Sequence, residues 1–385
     1  MKILHVTPYF KPSWEAGGPP RSVYEISKSQ VESGHEVTVF TTDGFKKRLN
    51  VLTNQEVDVD GIKTYYFRNL SIYLSSKLNL PIPYKLPFKC DLIKEFDIIH
   101  IHEHRTLLAA IVHYYAKHYD VPYIVQPRGS AMATTKSIQK NIFDKLFGRS
   151  IINNARCIIA SSKNESDQYS KVFPGFDKHV EHVPNGINKK EYIALNIKKG
   201  EFRNKFNISF NKKIILYLSR LHECKGIDLL IKSFKKLNCE NCVLVIAGPD
   251  DHYKNQVLSL VKELKLENNI IIPGPLYETN KLEAYTDADI FVLPSKDYYE
   301  SFGNVVIEAM AFETPVITTK FCGVSEWLSP DVSKIINYDL DELVKSLEYL
   351  LNNSLTKSTR EFVFNKFDWN DIAKTTTKLY EKFKK

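Results

Sequence analysis

The sequence has 385 residues, of which 43% are hydrophobic and 25% charged, with a net charge of +8. This length exceeds one ordinary domain, and the composition lets each half of the chain bury its own core. No run of about 20 apolar residues occurs, so no membrane-spanning helix is predicted. The N-terminal stretch reaches polar residues and Pro8 too early for a signal peptide, which predicts a cytoplasmic protein.

The first half alternates short apolar strands with helical stretches. We predict a strand at residues 3–7, a loop containing Gly17 and Gly18, a helix that ends at Gly34, and a strand at 36–41. Short buried strands are predicted at 98–101, 123–125 and 157–160.

The same pattern restarts after about residue 190. Strands are predicted at 213–219, 242–248, 270–272, 290–293 and 316–318, and helices at 227–237, 253–266 and 305–312. Residues 184–205 are polar and are predicted to form a linker. Alternating strands and helices indicate parallel sheets, so the predicted class is α/β with two doubly wound domains, 1–188 and 189–368. Residues 369–385 are predicted to form a C-terminal helix that can pack back on the N-terminal domain.

The six cysteines are scattered through a long chain and predict no disulfide framework. Cys239 and Cys242 form a C-x-x-C pair, but no second ligand pair stands at a spacing that zinc would need. We therefore interpret them as two cysteines at the entry to a buried strand.

Two carboxylates, Glu300 and Glu308, follow the predicted strand at 290–293. A helix rises ~1.5 Å per residue, so the eight steps between them are predicted to span roughly 12 Å, about the length of a ribose–diphosphate–sugar unit. Carboxylates accept hydrogen bonds from sugar hydroxyls, the amides of a helix N-terminus favour a diphosphate, and Gly303 allows close backbone approach. An ordinary amphipathic helix remains the alternative.

A second group, Arg220, Lys225 and Gly226, lies between the strand at 213–219 and the helix that follows it. Two cations and a glycine at a strand-end turn suit a diphosphate, because a departing nucleotide develops negative charge. Arginine offers a fork of donors and lysine a point charge. Two solvated cations in a loop remain the alternative.

Together these motifs resemble those of retaining glycosyltransferase family 4, whose fold, called GT-B, has two Rossmann-like domains facing each other across a cleft. The resemblance extends over nearly the whole chain, and the combination and order of its motifs are specific. It comprises Gly17-Gly18, residues 34–39 and 183–187, Ser219-Arg220-Leu221 with Lys225-Gly226, residues 247–249, and the pair Glu300 and Glu308.

The resemblance implies a role for each matching residue. Arg220 and Lys225 would bind the donor diphosphate and stabilise the leaving group, Glu300 would contact the transferred sugar, and Glu308 would hold the ribose. The other donor-binding residues that it implies are Ser301, Phe302, Gly303, Gly17, Gly18 and, near the nucleobase, Leu276. Retention is commonly explained by same-face attack assisted by the leaving phosphate, which needs no protein nucleophile. With the diphosphate neutralised by these cations, no metal or other cofactor is expected.

One position departs from the family pattern. Many members have a histidine after the strand at 123–125, where this chain has Arg128. A guanidinium cannot act as a general base, although it can bind phosphate or hydroxyls, so the identity of any catalytic base stays open. Because alternating residues after a strand point to alternating faces, His100, His102 and His104 are not expected to converge on a metal. Acceptor-site hydrogen bonding is favoured over a metal for the histidines. His102 and Arg128 are therefore predicted as acceptor or auxiliary residues.

Two short D-x-D patterns, at residues 58–60 and 287–289, match a motif by which another glycosyltransferase fold holds a metal. Such a motif is expected by chance in acidic loops. Asp289 leads directly into a predicted strand, which favours a structural role.

The positive charge is concentrated in the first half. Residues 1–190 carry 26 Lys and Arg against 18 Asp and Glu, and residues 191–385 carry 27 of each. Segments 71–90 and 137–150 mix apolar and basic residues, and basic amphipathic stretches can lie on anionic membranes. Core-facing elements with a solvated cationic side are the alternative. The cations involved are Lys77, Lys85, Lys89, Lys140, Lys145 and Arg149.

The sequence therefore predicts a glycosyltransferase that moves a sugar from a nucleotide-diphosphate donor to a glycan or lipid-linked acceptor in surface-polysaccharide assembly. No nucleic-acid-binding signature is found. A sugar-nucleotide epimerase of similar fold and a catalytically silent sugar-nucleotide-binding partner are the alternatives. Four intact residues, Arg220, Lys225, Glu300 and Glu308, count against a silent protein. The base, sugar, acceptor and linkage depend on pocket shape.

Overall fold

The computed structural model of the chain describes residues 1–78, 80–130, 138–173, 179–298 and 300–385. It contains two compact units, unit 1 (Met1–Gly186 with Trp369–Lys385) and unit 2 (Ile187–Asp368). Unit 1 carries 29 Lys and Arg against 20 Asp and Glu, whereas unit 2 carries 24 against 25. The positive excess of the chain therefore belongs entirely to unit 1.

Unit 1 is built on an eight-stranded sheet of order β3-β4-β2-β1-β5-β6-β7-β8, parallel except for the β3–β4 pair. Its strands are β1 (Lys2–Val6), β2 (Glu36–Thr42), β3 (Glu56–Val59), β4 (Ile62–Phe67), β5 (Ile98–His102), β6 (Tyr123–Gln126), β7 (Cys157–Ala160) and β8 (Val180–His182). Its α-helices are α1 (Gly18–Glu32), α2 (Ile72–Leu78), α3 (Leu107–His118), α4 (Ile138–Phe143), α5 (Arg149–Asn154), α6 (Lys163–Val172) and, from the far end of the chain, α15 (Trp369–Phe383). One π-helical turn, Asp144–Gly148, joins α4 to α5.

Two helices of unit 1 begin at a residue whose side chain caps them. The Thr106 side chain accepts a hydrogen bond from Ala109 N at the start of α3, and Ser162 accepts one from Glu165 N at the start of α6. The C-terminal helix α15 packs against α1 and buries Trp369 and Tyr380 in the core of unit 1.

Unit 2 is built on a six-stranded, all-parallel sheet of order β11-β10-β9-β12-β13-β14. Its strands are β9 (Lys213–Leu218), β10 (Cys242–Ala247), β11 (Ile270–Gly274), β12 (Ile290–Leu293), β13 (Val316–Thr319) and β14 (Ser333–Ile336). Its α-helices are α7 (Lys189–Ala194), α8 (Glu201–Lys205), α9 (Ile227–Leu237), α10 (Lys254–Glu263), α11 (Glu278–Asp287), α12 (Asn304–Met310), α13 (Leu340–Asn352) and α14 (Thr359–Lys366). The strands β9, β10 and β12 are buried apolar runs, as parallel sheets covered on both faces require.

Three predictions about these elements were incomplete or wrong. Residues 184–205 do not form an unstructured linker but contain α7 and α8, which the side chains of Asn188 and Asp287 hold by accepting backbone hydrogen bonds. The hairpin of β3 and β4 was missed, although its turn, Asp60-Gly61, has positive φ at both residues and is a strong hairpin signal. Cys239 and Cys242 are joined by a disulfide, which the sequence analysis did not predict.

None of the described helices combines the length and hydrophobicity that crossing a bilayer requires.

Candidate functional site

The predicted donor residues of unit 2 lie at the point where the strand order of its sheet reverses. From β9 the chain adds β10 and β11 on one side, then returns to place β12 on the other side of β9. Lys225 follows β9 and Glu300 follows β12, both beyond the carboxyl ends of these neighbouring strands. Ligands of open α/β sheets bind at this position.

Lys225 and Glu300 form a buried ion pair across that point. Lys225 is 4% exposed, and its Nζ donates a hydrogen bond to Glu300 Oε2. Burial by itself would lower the pKa of Lys225, but the charge and the hydrogen bond of Glu300 outweigh it and raise the pKa above its ordinary value. The lysine is therefore held in its charged form, as binding of an anionic ligand requires.

Gly226, directly after Lys225, can only be glycine in this loop. Its φ is +69°, and a Cβ there would lie 1.9 Å from the carbonyl oxygen of Pro294, just after β12. The residue also precedes the first turn of α9. The loops after β9 and β12 therefore contact each other closely at Gly226, and this contact sets the position of Lys225 relative to Glu300.

The geometry predicted for the Glu300–Glu308 segment was wrong in one respect. Helix α12 begins at Asn304, so Glu300 precedes the helix and the rise of ~1.5 Å per residue does not apply over all eight steps. The helix starts late because Gly303 has a φ of +95°, and a Cβ there would lie 2.6 Å from Cys322 Sγ. Phe302 is buried, and its carbonyl accepts a hydrogen bond from Val324 N at 2.7 Å. Within the described residues, the amides of Phe302 and Gly303 donate no hydrogen bond.

Glu308 is held by two side chains of α11 that the sequence analysis missed. Its Oε2 accepts hydrogen bonds from Lys281 Nζ and Tyr285 Oη, each at 3.0 Å. Burial, and then the charge of Glu308, raise the pKa of Tyr285 well above its usual range, so the phenol stays a donor. The spacing of Lys281 and Tyr285, four residues apart on one helix, was the available signal.

The other three predicted residues of unit 2 differ in exposure. Arg220 lies two residues after β9, is well exposed and forms an ion pair with Asp251, which follows β10. Its carbonyl accepts a hydrogen bond from Tyr217 Oη at 2.9 Å. Leu276 follows β11, and its side chain belongs to the buried core of unit 2. Ser301, between Glu300 and Phe302, is partly exposed.

The remaining predicted residues lie in unit 1, at a helix start and at strand ends. Gly17, with a φ of +103°, precedes α1, and Gly18 is the first residue of that helix. The reversal of strand order in this sheet lies between β1 and β5. His102 ends β5, and Arg128 follows β6, the next strand.

The prediction that the histidines would not converge was partly wrong, because residues two apart on a strand share a face. His100 and His102, both on β5, meet His5 from β1, and their ligand atoms lie within 4.8 Å of one another. His104 lies apart and contacts Tyr169, with a His104 Nδ1 to Tyr169 Oη distance of 2.7 Å. The three clustered histidines are the group among the described residues whose spacing suits a metal ion.

Hydrogen bonds join two of these imidazoles, His102 and His5, in a directed chain. Arg128 can only donate, and its Nε reaches His102 Nδ1 at 3.4 Å. Neutral His102 then carries its proton on Nε2, 2.9 Å from His5 Nδ1, and His5 Nε2 donates to Gln30 Oε1 at 2.8 Å. Burial lowers the pKa of His5 to about 4 and that of His102 well below its usual value, so both are neutral at pH 7.

Arg128 is held by this chain and by unit 1 residues around it. Its Nη1 donates to Asn185 Oδ1 at 2.7 Å, while its Nη2 is buried and has no partner among the described residues. Burial lowers its pKa to about 10, although the carboxylates of Glu165 and Glu103 act in the opposite direction. Arg128 therefore remains charged at neutral pH and presents an unused donor.

The two D-x-D patterns serve the fold. Asp60 accepts from Lys11 Nζ at 2.6 Å and lies in the β3–β4 turn. Asp287 accepts from Gly200 N and Arg203 N, and Asp289 pairs with Arg203 and Lys213. The structural role predicted for Asp289 is confirmed.

Two family models match the chain in succession. Residues 16–191 match the model described as Glycosyltransferase Family 4, and residues 198–369 match Glycosyl transferases group 1. The first corresponds to most of unit 1 and the second to most of unit 2.

Individual relatives match nearly the whole of this chain. An uncharacterized glycosyltransferase of Methanocaldococcus jannaschii is 26% identical over 402 residues, covering 99% of this chain and 98% of that protein. The phosphatidylinositol N-acetylglucosaminyltransferase gpi3 subunit of Schizosaccharomyces pombe is 26% identical over 390 residues, covering 98% of this chain and 79% of that protein. The structure of Anabaena HepE in complex with UDP-glucose superposes with a TM-score of 0.73 at 16% identity, over 100% of both chains.

The two matched models, the whole-length relatives and the two parallel-sheet units agree with one another. The chain belongs to glycosyltransferase family 4, and it is a glycosyltransferase of the GT-B fold.

Proposed function

We propose that the protein is a retaining glycosyltransferase that takes a sugar from a nucleoside-diphosphate donor bound by unit 2. The acceptor is a glycan or lipid-linked sugar bound by unit 1, and the product belongs to a surface polysaccharide. The observation that carries this proposal is the buried Lys225–Glu300 pair at the switch point of the second sheet. A charged lysine held by a carboxylate there suits a diphosphate next to a sugar hydroxyl.

The surrounding residues support the same donor. Arg220 lies on the loop after β9 and supplies a second cation for the leaving diphosphate. Glu308, oriented by Lys281 and Tyr285, suits the two hydroxyls of a ribose. The amides of Phe302 and Gly303, next to Ser301, offer donors to a phosphate or sugar oxygen. Gly17 and Gly18 and the loop at Leu276 complete the proposed donor contacts.

The names of similar proteins point to the same chemistry. HepE was captured with UDP-glucose, and the gpi3 subunit is named for transfer of N-acetylglucosamine to phosphatidylinositol. A sugar nucleotide and a lipid-borne acceptor are therefore reasonable first candidates for this chain.

A thermal-shift panel of UDP-, GDP-, ADP- and dTDP-sugars tests the donor proposal. A ligand that binds only the native state raises the melting temperature by mass action, so one nucleotide class should raise it and the others should not. The control is Lys225→Met, which should abolish that shift. The proposal fails if no sugar nucleotide stabilises the wild-type protein.

We also propose that transfer needs no divalent metal, because Arg220 and Lys225 supply the positive charge that a metal would bring to the diphosphate. Turnover should survive EDTA. Complete loss on chelation, restored by Mg²⁺ or Mn²⁺, would contradict this part of the proposal.

The acceptor side carries a surface that suits an anionic membrane. Segment 71–90, of which residue 79 lies outside the described residues, exposes Tyr73 and 83% of Phe88. Segment 137–150 is described from residue 138 onward, and it exposes Ile138, Ile142 and Leu146 at four-residue intervals. Exposed apolar side chains on a unit of net charge +9 favour peripheral binding to acidic lipid at the inner face of the cell membrane.

The cations of this surface are not equivalent. Lys77, Lys85, Lys145 and Arg149 are exposed, Lys89 is half-buried, and Lys140 is partly covered, with a pKa lowered by burial and by the charge of Arg105. Arg105 donates two hydrogen bonds, of 2.9 and 2.7 Å, to the carboxylate of Asp144. Because Asp144 is the first residue of the π-helical turn, these bonds hold that turn in place.

Vesicle co-sedimentation tests the membrane proposal with the full chain. Binding to vesicles with anionic lipid should fall as salt rises, and the double variant Ile138→Ser/Leu146→Ser should weaken it. Tyr277→Ser, at an exposed position of unit 2, is the matched control. Equal binding to neutral and anionic vesicles, or none to either, would favour a soluble acceptor.

A further inference from the structure

Glu103 occupies a position in unit 1 that corresponds to a ligand site, and none of the roles described so far uses it. It is the first residue after β5, and β5 lies beside β1 where the strand order of this sheet reverses. Side chains at such a point face the crevice where ligands of open α/β sheets bind.

The backbone of Glu103 adopts a conformation that favours glycine. Its φ is +62°, held by a hydrogen bond from Glu103 N to Gln126 O at 3.0 Å. Side chains with a Cβ are disfavoured in this left-handed region, whereas glycine enters it freely. Other non-glycine residues, such as Asp120, share a positive φ, so at Glu103 this conformation supports a functional role only together with the position of the residue at the end of β5.

The carboxylate of Glu103 has no hydrogen bond or ion pair within the described part of the chain, although the residue is half-buried. Other carboxylates of this region are occupied. Asp144 binds Arg105, and Glu165 accepts hydrogen bonds from Gly129 N at 2.6 Å and Ser161 N at 2.7 Å. None of the described residues therefore occupies the accepting oxygens of Glu103.

Two groups bear on the charge of Glu103. Burial raises its pKa to about 7, and the nearby positive charge of Arg128 limits that rise. Tyr9 lies on the loop after β1. Burial raises the pKa of its phenol, and the negative charge of Glu103 raises it further. The carboxylate thus changes its charge near neutral pH, as a group that takes up and releases a proton must.

Arg128 supplies the complementary group. It follows β6, the neighbour of β5, and its Nη2 donor has no partner among the described residues. The chain from His102 through His5 to Gln30 fixes its Nε. Among the described residues, the Glu103 carboxylate and the buried Arg128 Nη2 have no hydrogen-bond partner, and they lie at adjacent strand ends. This acceptor and donor match a sugar hydroxyl, which donates one hydrogen bond and accepts others.

We propose that Glu103 and Arg128 form the subsite for the acceptor hydroxyl, with Glu103 taking the proton of that hydroxyl. This inference rests on the proposed sugar transfer. The acceptor oxygen forms a bond to the anomeric carbon while the bond from that carbon to the donor phosphate breaks, and the electron pair leaves with the nucleoside diphosphate. The hydroxyl proton passes to the Glu103 carboxylate and then to solvent, and Arg128 Nη2 donates to the attacking oxygen.

The test compares wild type, Glu103→Gln, Glu103→Gly and Glu308→Ala with the donor selected by the thermal-shift panel. Water serves as the attacking hydroxyl, and nucleoside-diphosphate release is followed from pH 5 to 9. Both Glu103 variants should lower release by about a hundredfold or more, since a positioned general base contributes about 10²–10⁴-fold, while the donor Kd stays unchanged. The wild-type rate should rise through pH 7 as Glu103 ionises, and the variants should lack that rise.

Thermal unfolding separates this role from a structural one. Glu103→Gly relieves the backbone conformation, so its Tm should be unchanged or higher by about 2–4 °C even though turnover is lost. Asp120→Gly, at an exposed position of unit 1 with a φ of +50°, is the matched control and should leave turnover unchanged.

Three outcomes would overturn the inference. In the first, Glu103→Gln retains wild-type turnover and pH dependence while Glu308→Ala loses turnover, which would remove the role of Glu103 and leave the proposed function standing. A fall in the Tm of Glu103→Gly with full turnover in Glu103→Gln would make Glu103 structural. If wild-type protein neither binds nor turns over any sugar nucleotide, the proposed function fails first and the subsite fails with it.

Discussion

The Lys225–Glu300 pair gives the sharpest test of the donor site, because its strength can be measured without any substrate. We consider three variants, Lys225→Met, Glu300→Gln and the double variant. The lysine side chain is 5% exposed and that of Glu300 is 17% exposed, so losing the carboxylate leaves a charge that water reaches poorly. Breaking a buried pair costs about 3–5 kcal/mol, and the partial exposure of Glu300 reduces our expectation to about 2–3 kcal/mol for Glu300→Gln.

Replacing both partners removes the charge and its counter-charge together. The double variant should therefore be less destabilised than the sum of the singles, with a coupling energy of about 1–3 kcal/mol. Urea unfolding is monitored by hydrogen exchange in peptides from β9 and β12, so that the measurement reports on unit 2 alone. Additive single effects, within about 0.5 kcal/mol, would refute the ion pair as the element that assembles this site.

The pH dependence of the coupling has a defined sign. The pKa of Lys225 is raised in the folded state, so its contribution is fully present below the unfolded pKa of about 10.5 and is lost as pH rises through the folded value. The coupling energy should therefore be constant between about pH 6 and 9 and should decline only in stronger alkali. A coupling that disappears near neutral pH would contradict this explanation.

Three further predictions concern separate parts of the molecule. Glu308→Ala should weaken donor binding about tenfold to a hundredfold, with a smaller loss for Tyr285→Phe, and an unchanged Kd in a donor titration would remove Glu308 from the site. The pKa of His5 is about 4 in the folded state and 6.5 in the unfolded state, so the unfolded chain binds more protons between these two pH values. The free energy of unfolding should therefore fall by about 3 kcal/mol as pH drops from 6.5 to 4. His5→Gln should flatten that slope in pH-dependent urea unfolding, and identical slopes would disprove the assignment. Gly303→Ala should destabilise the protein by about 1–3 kcal/mol, because the position has a positive φ and the new methyl group would contact Cys322. Adding Cys322→Gly should recover only the part of this loss that comes from the contact. A Gly303→Ala variant of wild-type stability would contradict the geometry.

The sequence by itself determined the class of fold and most of its regular elements. Apolar runs that end in polar or glycine-containing turns predict parallel strands, and the helix at Ile227–Leu237 and the strands at Cys157–Ala160 and Ile290–Leu293 have the predicted bounds. These elements are predictable because their hydrophobic periodicity is local. The motifs around Arg220, Lys225 and Glu300 were recognisable for the same reason, since each lies within one strand-end loop.

Only the tertiary structure decided which of these groups meet. Lys225 and Glu300 are 75 residues apart in the chain and become partners because β9 and β12 are neighbours in the sheet. His5 joins His102 from a strand 97 residues away. From the sequence alone, Glu103 was one glutamate in a histidine-rich stretch, and no function was predicted for it. Its backbone conformation, its unused carboxylate and the charge of Arg128 depend on packing between strands, and pairing between distant strands leaves no trace in local sequence periodicity.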